Sequence, residues 1–307
     1  MNRFLVKLFI FSFFPLATLY GVFLLENGTA DPFYQRFTTP KQEALILGNS
    51  KAAQGIIPAV LDQKLFQEFG AKIYNYSFTV YNSPYGPVYL ESLTKKLDEN
   101  SKSGYFVITV DPWSIASDIN DPDNPDKFEE NGRFLAKIDK VNSGQNFTYL
   151  FDWFSKSYYE ILLMKLKPNF SKLHSDGWFE TTADMIGTSE PERRKQMVDF
   201  YNDYLTKYRY SEKRFKYLQK TIEFLQTKGS VFLVRLPLHQ DILEIENELD
   251  PDFDSRMNFI SQQYEIPYFE FNDSKIKWQF KDGLHMTLES ARDFSDHLSK
   301  EILLSRK

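Results

Sequence analysis

Residues 44–58 read Ala-Leu-Ile-Leu-Gly-Asn-Ser-Lys-Ala-Ala-Gln-Gly-Ile-Ile-Pro, and this stretch decides the fold. The apolar run 44–47 is long enough for a buried strand, and Gly48-Asn49-Ser50 interrupts it with a small residue, a turn former and a hydroxyl. A helical apolar pattern follows over 60–69. A strand, a serine-bearing turn and a helix predict a nucleophile at the carboxyl end of a parallel strand, where open sheets place their ligands.

The rest of the chain repeats this alternation of strand and helix. Short apolar runs that end at a break predict strands at 44–47, 72–76, 105–110, 231–235 and 267–271. Helical patterns lie between them, roughly at 57–69, 85–98, 206–228, 252–264 and 287–304. The alternation predicts an α/β fold, a three-layer sandwich in which helices cover both faces of a five-stranded parallel sheet.

One long segment, 112–205, interrupts the alternation because it contains no convincing strand. It begins with a turn-rich acidic stretch at 118–126 and continues into an aromatic segment at 149–159. We interpret it as a large, partly helical insertion after the third strand that lies over the carboxyl edge of the sheet, where loops commonly form lids and pockets. The aromatic rings of 149–159 could stack on sugars, although packing within the insertion is the favoured interpretation.

Composition excludes several classes of function. The 307-residue chain has a net charge of −5 and no run of five basic residues, so a nucleic-acid role is not expected. It has no cysteine, which excludes disulfides, zinc–thiolate sites and a cysteine nucleophile. The carboxylates of 121–126 lack the glycine and spaced glutamate of a calcium loop, so no metal or cofactor is predicted. An imidazole base must be one of four residues: His174, His239, His285 and His297.

The first 25 residues are expected to lie outside the globular body. Residues 8–25 are uncharged and mostly apolar, near the minimum length of a membrane span, and Arg3 and Lys7 precede them. A cleaved signal peptide is the alternative, but the apolar run is long and a good cleavage site is lacking, which favours an uncleaved anchor. Either reading places the body on the extracytoplasmic side. Residues 26–42 are interpreted as a linker and 43–307 as the domain.

A second stretch, Lys281-Asp282-Gly283-Leu284-His285, supplies the partners that a serine nucleophile needs. A serine hydroxyl requires a base within hydrogen-bonding reach, and the base requires an orienting group on its other nitrogen. His285 lies between the last strand and the last helix, hence on the same edge as Ser50. One turn of chain can bring the Asp282 carboxylate to the imidazole. The pattern predicts a Ser50–His285–Asp282 triad.

These two stretches resemble the blocks of the SGNH, or GDSL-like, hydrolase superfamily. Residues 48–50 are similar to its first block and residues 282–285 to its last block, Asp-x-x-His. The resemblance covers 43–111 and 229–305 and leaves the insertion outside. It implies an SGNH/flavodoxin-like fold in which Ser50 is the nucleophile, His285 the base and Asp282 the partner of the base.

The middle blocks depart from the family pattern. The family has an oxyanion-hole glycine in its second block, whereas 74–83 contains none. An aspartate, Asp111, stands where the family usually has an asparagine, and its charge would repel a developing oxyanion. The Ser50 N–H remains as one donor. Asn82, or an amide of the 76–83 loop, is the candidate for a second, and Asn49 beside the nucleophile is a further oxyanion or substrate candidate.

Two more residues follow the fourth predicted strand on the same edge. Arg235 could hold an anionic substrate and His239 could line the pocket. An ion pair for Arg235 and a surface position for His239 are the favoured interpretations.

The Asp-Pro pair at 111–112 and the N-terminal anchor are similar to a divergent branch of the superfamily, the DltD-like and alginate-acetylation-like proteins of cell-surface polymer acyl transfer. That resemblance implies an acylated glycan or another small ester as substrate and a membrane-bound O-acyltransferase as partner. The first hypothesis is therefore an exported, membrane-tethered serine esterase or O-acyltransferase that forms an acyl-Ser50 intermediate. The alternative is a catalytically eroded domain that binds glycan or scaffolds a polysaccharide-modifying complex.

Overall fold

The computed structural model describes residues 2–28, 30–153, 158–166, 170–182, 185–273 and 275–306. Its strands are β1 (Ala44–Leu47), β2 (Ile73–Asn75), β3 (Gly104–Thr109), β4 (Ala116–Asp118), β5 (Ser171–Leu173), β6 (Phe179–Thr181), β7 (Tyr208–Tyr210), β8 (Gly229–Arg235) and β9 (Tyr268–Glu270). Its α-helices are α1 (Asn2–Phe23), α2 (Ser50–Gly55), α3 (Pro58–Phe69), α4 (Pro87–Lys96), α5 (Phe147–Asp152), α6 (Tyr158–Leu166), α7 (Glu190–Leu205), α8 (Glu212–Gln226), α9 (Gln240–Leu249), α10 (Phe253–Tyr264) and α11 (Leu288–Leu304).

The central sheet is parallel and has five strands in the order β2-β1-β3-β8-β9. Leu45 of β1 lies opposite Tyr74 of β2 on one side and Phe106 of β3 on the other. This is the flavodoxin-like order, in which the chain changes direction across the sheet next to β1. The predicted five-stranded parallel sheet is confirmed, with strand ends within two residues of those expected.

Both faces of the sheet are covered, which explains why its strands are continuous apolar runs. Leu45 and Leu47 point to one face and pack into a core with α4, α8 and α10. Ala44 and Ile46 point to the other face and pack with α3 and α11. Alternate residues of one short strand thus serve two cores, as the period of a strand requires. The predicted three-layer sandwich is confirmed.

The insertion after β3 is partly helical, as expected, but the prediction that it lacks strands is wrong. β4 pairs antiparallel with β7, and β5 and β6 form an antiparallel pair of their own. Each of these strands has three residues, too few to produce a recognisable alternation. The helix expected from residue 206 begins at Glu212, because 208–210 forms β7.

The segment interpreted as a linker packs against the domain. Tyr34 and Phe37 are buried in the core that contains Leu45. The Arg36 guanidinium is fully buried, and its Nη2 donates to the Gly177 carbonyl at 3.0 Å. Lys96 Nζ donates to the carbonyl oxygens of Arg36 at 2.9 Å and of Thr39 at 2.8 Å. Aromatic and basic residues inside a polar stretch therefore fasten the N-terminal helix to the domain.

The N-terminal helix α1 leaves the domain with most of its side chains exposed. Among the described residues, Arg3–Phe23 is the one helical stretch long and apolar enough to cross a bilayer, a criterion of length and composition that a signal sequence also meets. Its last residue, Phe23, is buried. The Phe23 ring lies with its centroid 4.9 Å from that of Phe151 and 4.9 Å from that of Tyr158.

Candidate active site

The turn after β1 depends on a glycine. Gly48 has φ +150°, and a Cβ at this position would lie 1.8 Å from Thr109 Oγ1. A side chain at position 48 would therefore displace the Thr109 hydroxyl, which donates to the Leu47 carbonyl at 2.9 Å, and would strain the backbone. Asn49 then caps the next helix, because its side chain accepts a hydrogen bond from the Lys51 amide at 3.1 Å. Ser50 becomes the first residue of α2, at the carboxyl edge of the sheet.

A tight loop before α11 shapes the other half of the site. An antiparallel bridge joins Phe280 to Met286, so the intervening residues form a closed turn. Asp282 Oδ1 accepts hydrogen bonds from the amides of Leu284 at 3.0 Å and His285 at 2.7 Å. These bonds turn the chain back on itself and set the second carboxylate oxygen of Asp282 against the imidazole.

The structure brings the three predicted triad residues into one hydrogen-bonded row. His285 Nδ1 lies 2.7 Å from Asp282 Oδ2, and His285 Nε2 lies 3.0 Å from Ser50 Oγ. Asp282 and His285 are buried, whereas Ser50 is partly exposed. With the ring proton on Nδ1, the imidazole donates to the carboxylate and can accept the serine proton. This is the order that a base-activated hydroxyl nucleophile requires.

Asp282 is held in its ionised form. Burial alone would raise its pKa, but the charge of His285, the hydrogen bond from its ring and the backbone amides of Leu284 and His285 outweigh burial. The pKa of Asp282 is consequently well below its ordinary range. A carboxylate in this state fixes the imidazole tautomer and would stabilise an imidazolium.

A buried charge network lies beneath the serine turn. Lys51 Nζ is 2.9 Å from Asp111 Oδ2 and 2.7 Å from Glu246 Oε1, and all three side chains are buried. Burial acts to lower the pKa of Lys51, yet the two carboxylates outweigh it and the pKa of Lys51 is raised. The charge of Asp111 is therefore paired with a cation. The sequence left Lys51 and Glu246 unassigned, and the one available signal was a lysine next to the candidate nucleophile on a helix that packs inward.

The structure separates the two asparagine candidates. Asn49 uses its oxygen to cap α2 and its Nδ2 to donate to Asp111 Oδ2 at 2.7 Å, so its carbonyl oxygen and one of its N–H groups are engaged in structural contacts. Asn82 is buried in the 76–83 loop, and its Nδ2 donates to Thr79 Oγ1 at 2.7 Å. That loop is bound to the serine turn, because the Phe78 amide donates to the Gly48 carbonyl at 3.1 Å.

The other two candidates on the edge are held in structural contacts. Arg235 is buried and ion-paired, with Nη2 3.3 Å from Glu246 Oε2 and a further contact to Asp254. The structure therefore places Arg235 in the buried network and not at the triad. His239 caps α9 by accepting from the Asp241 amide at 3.2 Å, and its own amide donates to the Gly283 carbonyl at 2.9 Å. The His239 amide thus helps to hold the 281–285 loop in place.

The insertion adds residues that sequence reasoning missed. Tyr201 of α7 packs with Trp113 and with Leu284 of the 281–285 loop. Burial, followed by the carboxylates of Asp111, Glu246 and Asp282, raises the pKa of Tyr201 well above its ordinary value, so it is a neutral phenol. About two helix turns earlier in α7, Arg193 Nε donates to the Lys281 carbonyl at 2.7 Å. α7 therefore packs against the 281–285 loop. The aromatic segment 149–159 is described only at 149–153 and 158–159, and these parts contact the core and α1.

A cavity of about 290 Å³ is lined by Lys281 and Met286 at the two ends of the loop that carries His285. Its walls are mostly apolar and include Trp178 and Met286, while Lys281 and Gln54 contribute polar groups. Ser50 and His285 are not among its lining residues, although residues adjacent to the triad in sequence are. No cluster of three or more His, Asp or Glu side chains suited to a metal ion occurs in the described part of the chain.

The chain matches no protein-family model and no curated protein. Solved structures with a similar arrangement include a carbohydrate acetylesterase from Sinorhizobium meliloti, at 10% identity and a TM-score of 0.41 over 86% of this chain and 99% of that chain. An aryl esterase from M. smegmatis aligns at 13% identity and a TM-score of 0.36 over 85% of this chain and 98% of that chain. Likeness at this level carries no functional argument, so function has to be argued from the geometry of the site.

Proposed function

We propose that this chain is a serine-dependent esterase or O-acyltransferase that acts on acyl esters. The observation that supports it is the row from Asp282 through His285 to Ser50, with contacts of 2.7 and 3.0 Å. In the proposed reaction Ser50 Oγ attacks the ester carbonyl while His285 Nε2 takes the hydroxyl proton. The tetrahedral intermediate collapses, the proton passes to the leaving alkoxide, and an acyl-Ser50 remains.

The second half-reaction reuses the same groups. Water or a sugar hydroxyl gives its proton to His285 Nε2 and attacks the acyl carbon. Collapse of that intermediate releases an acid or a new ester, and the proton returns to Ser50 Oγ. Hydrolysis and transfer thus share the acyl-Ser50 intermediate and differ in the acceptor that reaches it.

The proposed oxyanion hole has one donor from the serine turn and one from the loop beside it. No described residue accepts a hydrogen bond from the Ser50 amide, which leaves this amide for the developing oxyanion. The loop 76–83 is the proposed source of the second donor, through its backbone or the second N–H of Asn82. The pairing of Asp111 with Lys51 removes the repulsion that an unpaired carboxylate would exert on an oxyanion.

We further propose that α1 tethers the body on the extracytoplasmic side, where the substrate is an acyl ester of a cell-surface glycan. Arg3 and Lys7 at the start of an apolar helix favour this orientation. The buried contacts of Arg36 and Lys96 would hold the body close to such an anchor. A membrane-bound O-acyltransferase is the proposed partner if the acyl acceptor is a sugar.

A second candidate function is a glycan-binding or scaffolding domain without catalysis. The specific observation in its favour is that Asn49 donates to Asp111 and not toward the serine, while 74–83 lacks glycine. With fewer oxyanion donors the triad geometry would stay intact, but the activation barrier for ester cleavage would remain high.

A fluorophosphonate probe on the full-length protein in detergent separates the two functions. The esterase predicts covalent labelling of the wild type that is lost in Ser50→Ala and His285→Ala. Ser305→Ala, at an exposed position, and His297→Gln, at a partly exposed position beside Glu301, are the matched controls, and both should label normally. A folded wild type that does not label supports the scaffold. Labelling that persists in Ser50→Ala overturns the assignment of the nucleophile.

A further inference from the structure

The helix α6 has seven apolar or aromatic residues, and its two charged residues are Glu160 and Lys165. Ile161 faces the core and is buried, as expected for a helix packed on a domain. A second row at spacings of three, four and seven residues points outward and is 36% to 83% exposed: Tyr159, Leu162, Leu163 and Leu166. The outer side of a helix on a water-facing surface usually carries polar residues, so this outward row is typical of a helix whose outer side meets an apolar environment.

The exposed row of α6 is continuous with the exposed surface of α1. Tyr158 contacts Phe23 at the end of α1, and a groove of about 670 Å³ runs between the two helices. Phe11 and Phe14 line this groove from α1, and Leu162 lines it from α6. Phe11 lies twelve residues before Phe23, about 18 Å along the helix axis. α6 therefore runs beside the apolar middle of α1 and not only at its end.

Neighbouring segments extend the apolar surface. Phe151 of α5 and Phe170 after α6 are each about half exposed. Elsewhere an exposed large apolar side chain such as Phe259 of α10, 57% exposed, stands on a helix whose other apolar residues face the core. Single apolar residues of this kind are normal, whereas a contiguous apolar patch marks an interaction surface.

We infer that α6 inserts into the lipid bilayer beside α1, with Tyr159, Leu162, Leu163 and Leu166 in contact with acyl chains. This inference rests on the proposal that α1 is a membrane anchor. α6 has nine residues, about 13 Å of helix, so it enters one leaflet and does not span. Its backbone hydrogen bonds are made within the helix, which allows it to enter hydrocarbon.

Lipid fits this surface better than a glycan or a soluble protein does. A sugar site needs polar donors and acceptors among its aromatic rings, whereas the row on α6 consists of three leucines and a tyrosine. Two apolar elements in the same leaflet, α1 and α6, would stop the body from pivoting about a single helix. The candidate triad would then act at a fixed height above the membrane, which suits an ester carried close to the lipid surface.

The absence of cysteine makes a direct test possible, because any introduced cysteine is unique. Leu163→Cys and Leu166→Cys of the full chain are labelled with the environment-sensitive dye NBD and reconstituted into phosphatidylcholine–phosphatidylglycerol vesicles. Nitroxide-bearing lipids are then added as quenchers. We expect blue-shifted emission and quenching comparable to that of Phe9→Cys in the middle of α1. Phe259→Cys on α10 is the matched control, an apolar residue whose exposure of 57% lies between those of Leu163 and Leu166, and it should not be quenched.

Each outcome decides something. If Phe9→Cys is quenched while the α6 positions behave like Phe259→Cys, the inference fails and the anchor stands. If Phe9→Cys is not quenched either, the anchor proposal itself fails. If the α6 positions are shielded from both nitroxide lipid and aqueous iodide, a protein covers them and the lipid assignment is overturned. A cooperative thermal transition verifies folding of every variant, and Phe170→Cys replaces any α6 variant that does not fold.

Discussion

The rim, which is the carboxyl edge of the sheet around Ser50, buries charged side chains, whereas the face formed by α1 and α6 exposes apolar ones. At the rim, charged side chains are buried: Asp282 lies against His285, and Lys51 lies between Asp111 and Glu246. At the α1–α6 face, large apolar side chains are exposed and Leu166 is 83% accessible. A buried charge is tolerable only when it is paired, and an exposed apolar row is tolerable only in an apolar surrounding.

The two regions differ in where the partners of their side chains lie. The rim contains the partners of its own charges, so its geometry is set within the protein. The α1–α6 face lacks its partner, which we propose is lipid. We therefore expect a substitution in one region to leave the other intact.

The largest expected effect comes from breaking the rim at its orienting carboxylate. Asp282→Asn removes the acceptor that fixes the His285 tautomer, and kcat on a p-nitrophenyl acyl ester should fall by about ten-thousandfold. Asp199→Asn, an exposed carboxylate on α7, should leave kcat unchanged. Full activity of Asp282→Asn would show that the row of contacts at the rim is not the catalytic apparatus.

The next effect tests whether the charges of the rim depend on one another. Lys51→Met leaves the buried Asp111 without a cation and Glu246 with Arg235 alone, and urea unfolding should show a loss of about 3–5 kcal/mol. The double variant Lys51→Met/Asp111→Asn should recover part of that loss, because one unpaired acid is gone. Lys195→Met, which breaks an exposed pair with Asp199, should change stability little. An equally small change for Lys51→Met would contradict the network.

The pH dependence of the unfolding free energy tests the ionised state of Asp282 at the rim. Asp282 has a folded-state pKa below the value of about 3.9 of an unfolded chain, so its contribution is present above that pH and is lost as pH falls through the folded-state pKa. The difference in unfolding free energy between wild type and Asp282→Asn should therefore shrink below about pH 4, by up to about 1.4 kcal/mol per unit. A difference that stays constant from pH 7 to pH 2 would mean that the carboxylate is not specially stabilised.

The smallest expected effect is that of a substitution on the outer side of α6, which is compared with a substitution on the buried side of the same helix. Ile161→Ala on the buried side of α6 should cost about 2–5 kcal/mol in detergent, since it opens a cavity in the core. Leu166→Ala on the outer side should stay within about 0.5 kcal/mol, because the Leu166 side chain is 83% exposed. Equal losses for the two variants would indicate that the outer row is packed within the protein, and the contrast between the two regions would disappear.

Much of the site could be predicted because its geometry is local. Gly48-Asn49-Ser50 follows a strand directly, and the hydrogen bonds that set Asp282 against His285 span three residues. The alternation of short apolar runs and helical patterns was sufficient for the parallel sheet, since each element needs only its own periodicity. The edge that carries Ser50 and His285 then follows from the rule that parallel strands end on one side.

The sequence by itself thus determined the sheet, its edge and the three residues that meet there. Only the tertiary structure decided that Lys51 pairs with Glu246, 195 residues away, that Asn49 turns to Asp111, and that residues 26–42 pack on the core. It also decided that α7 packs against the 281–285 loop while α6 lies along α1. Local hydrogen bonds and periodicity depend on residues that are a few positions apart, so they can be predicted from the sequence. The partner of a buried charge or an apolar face depends on which distant surfaces packing brings together.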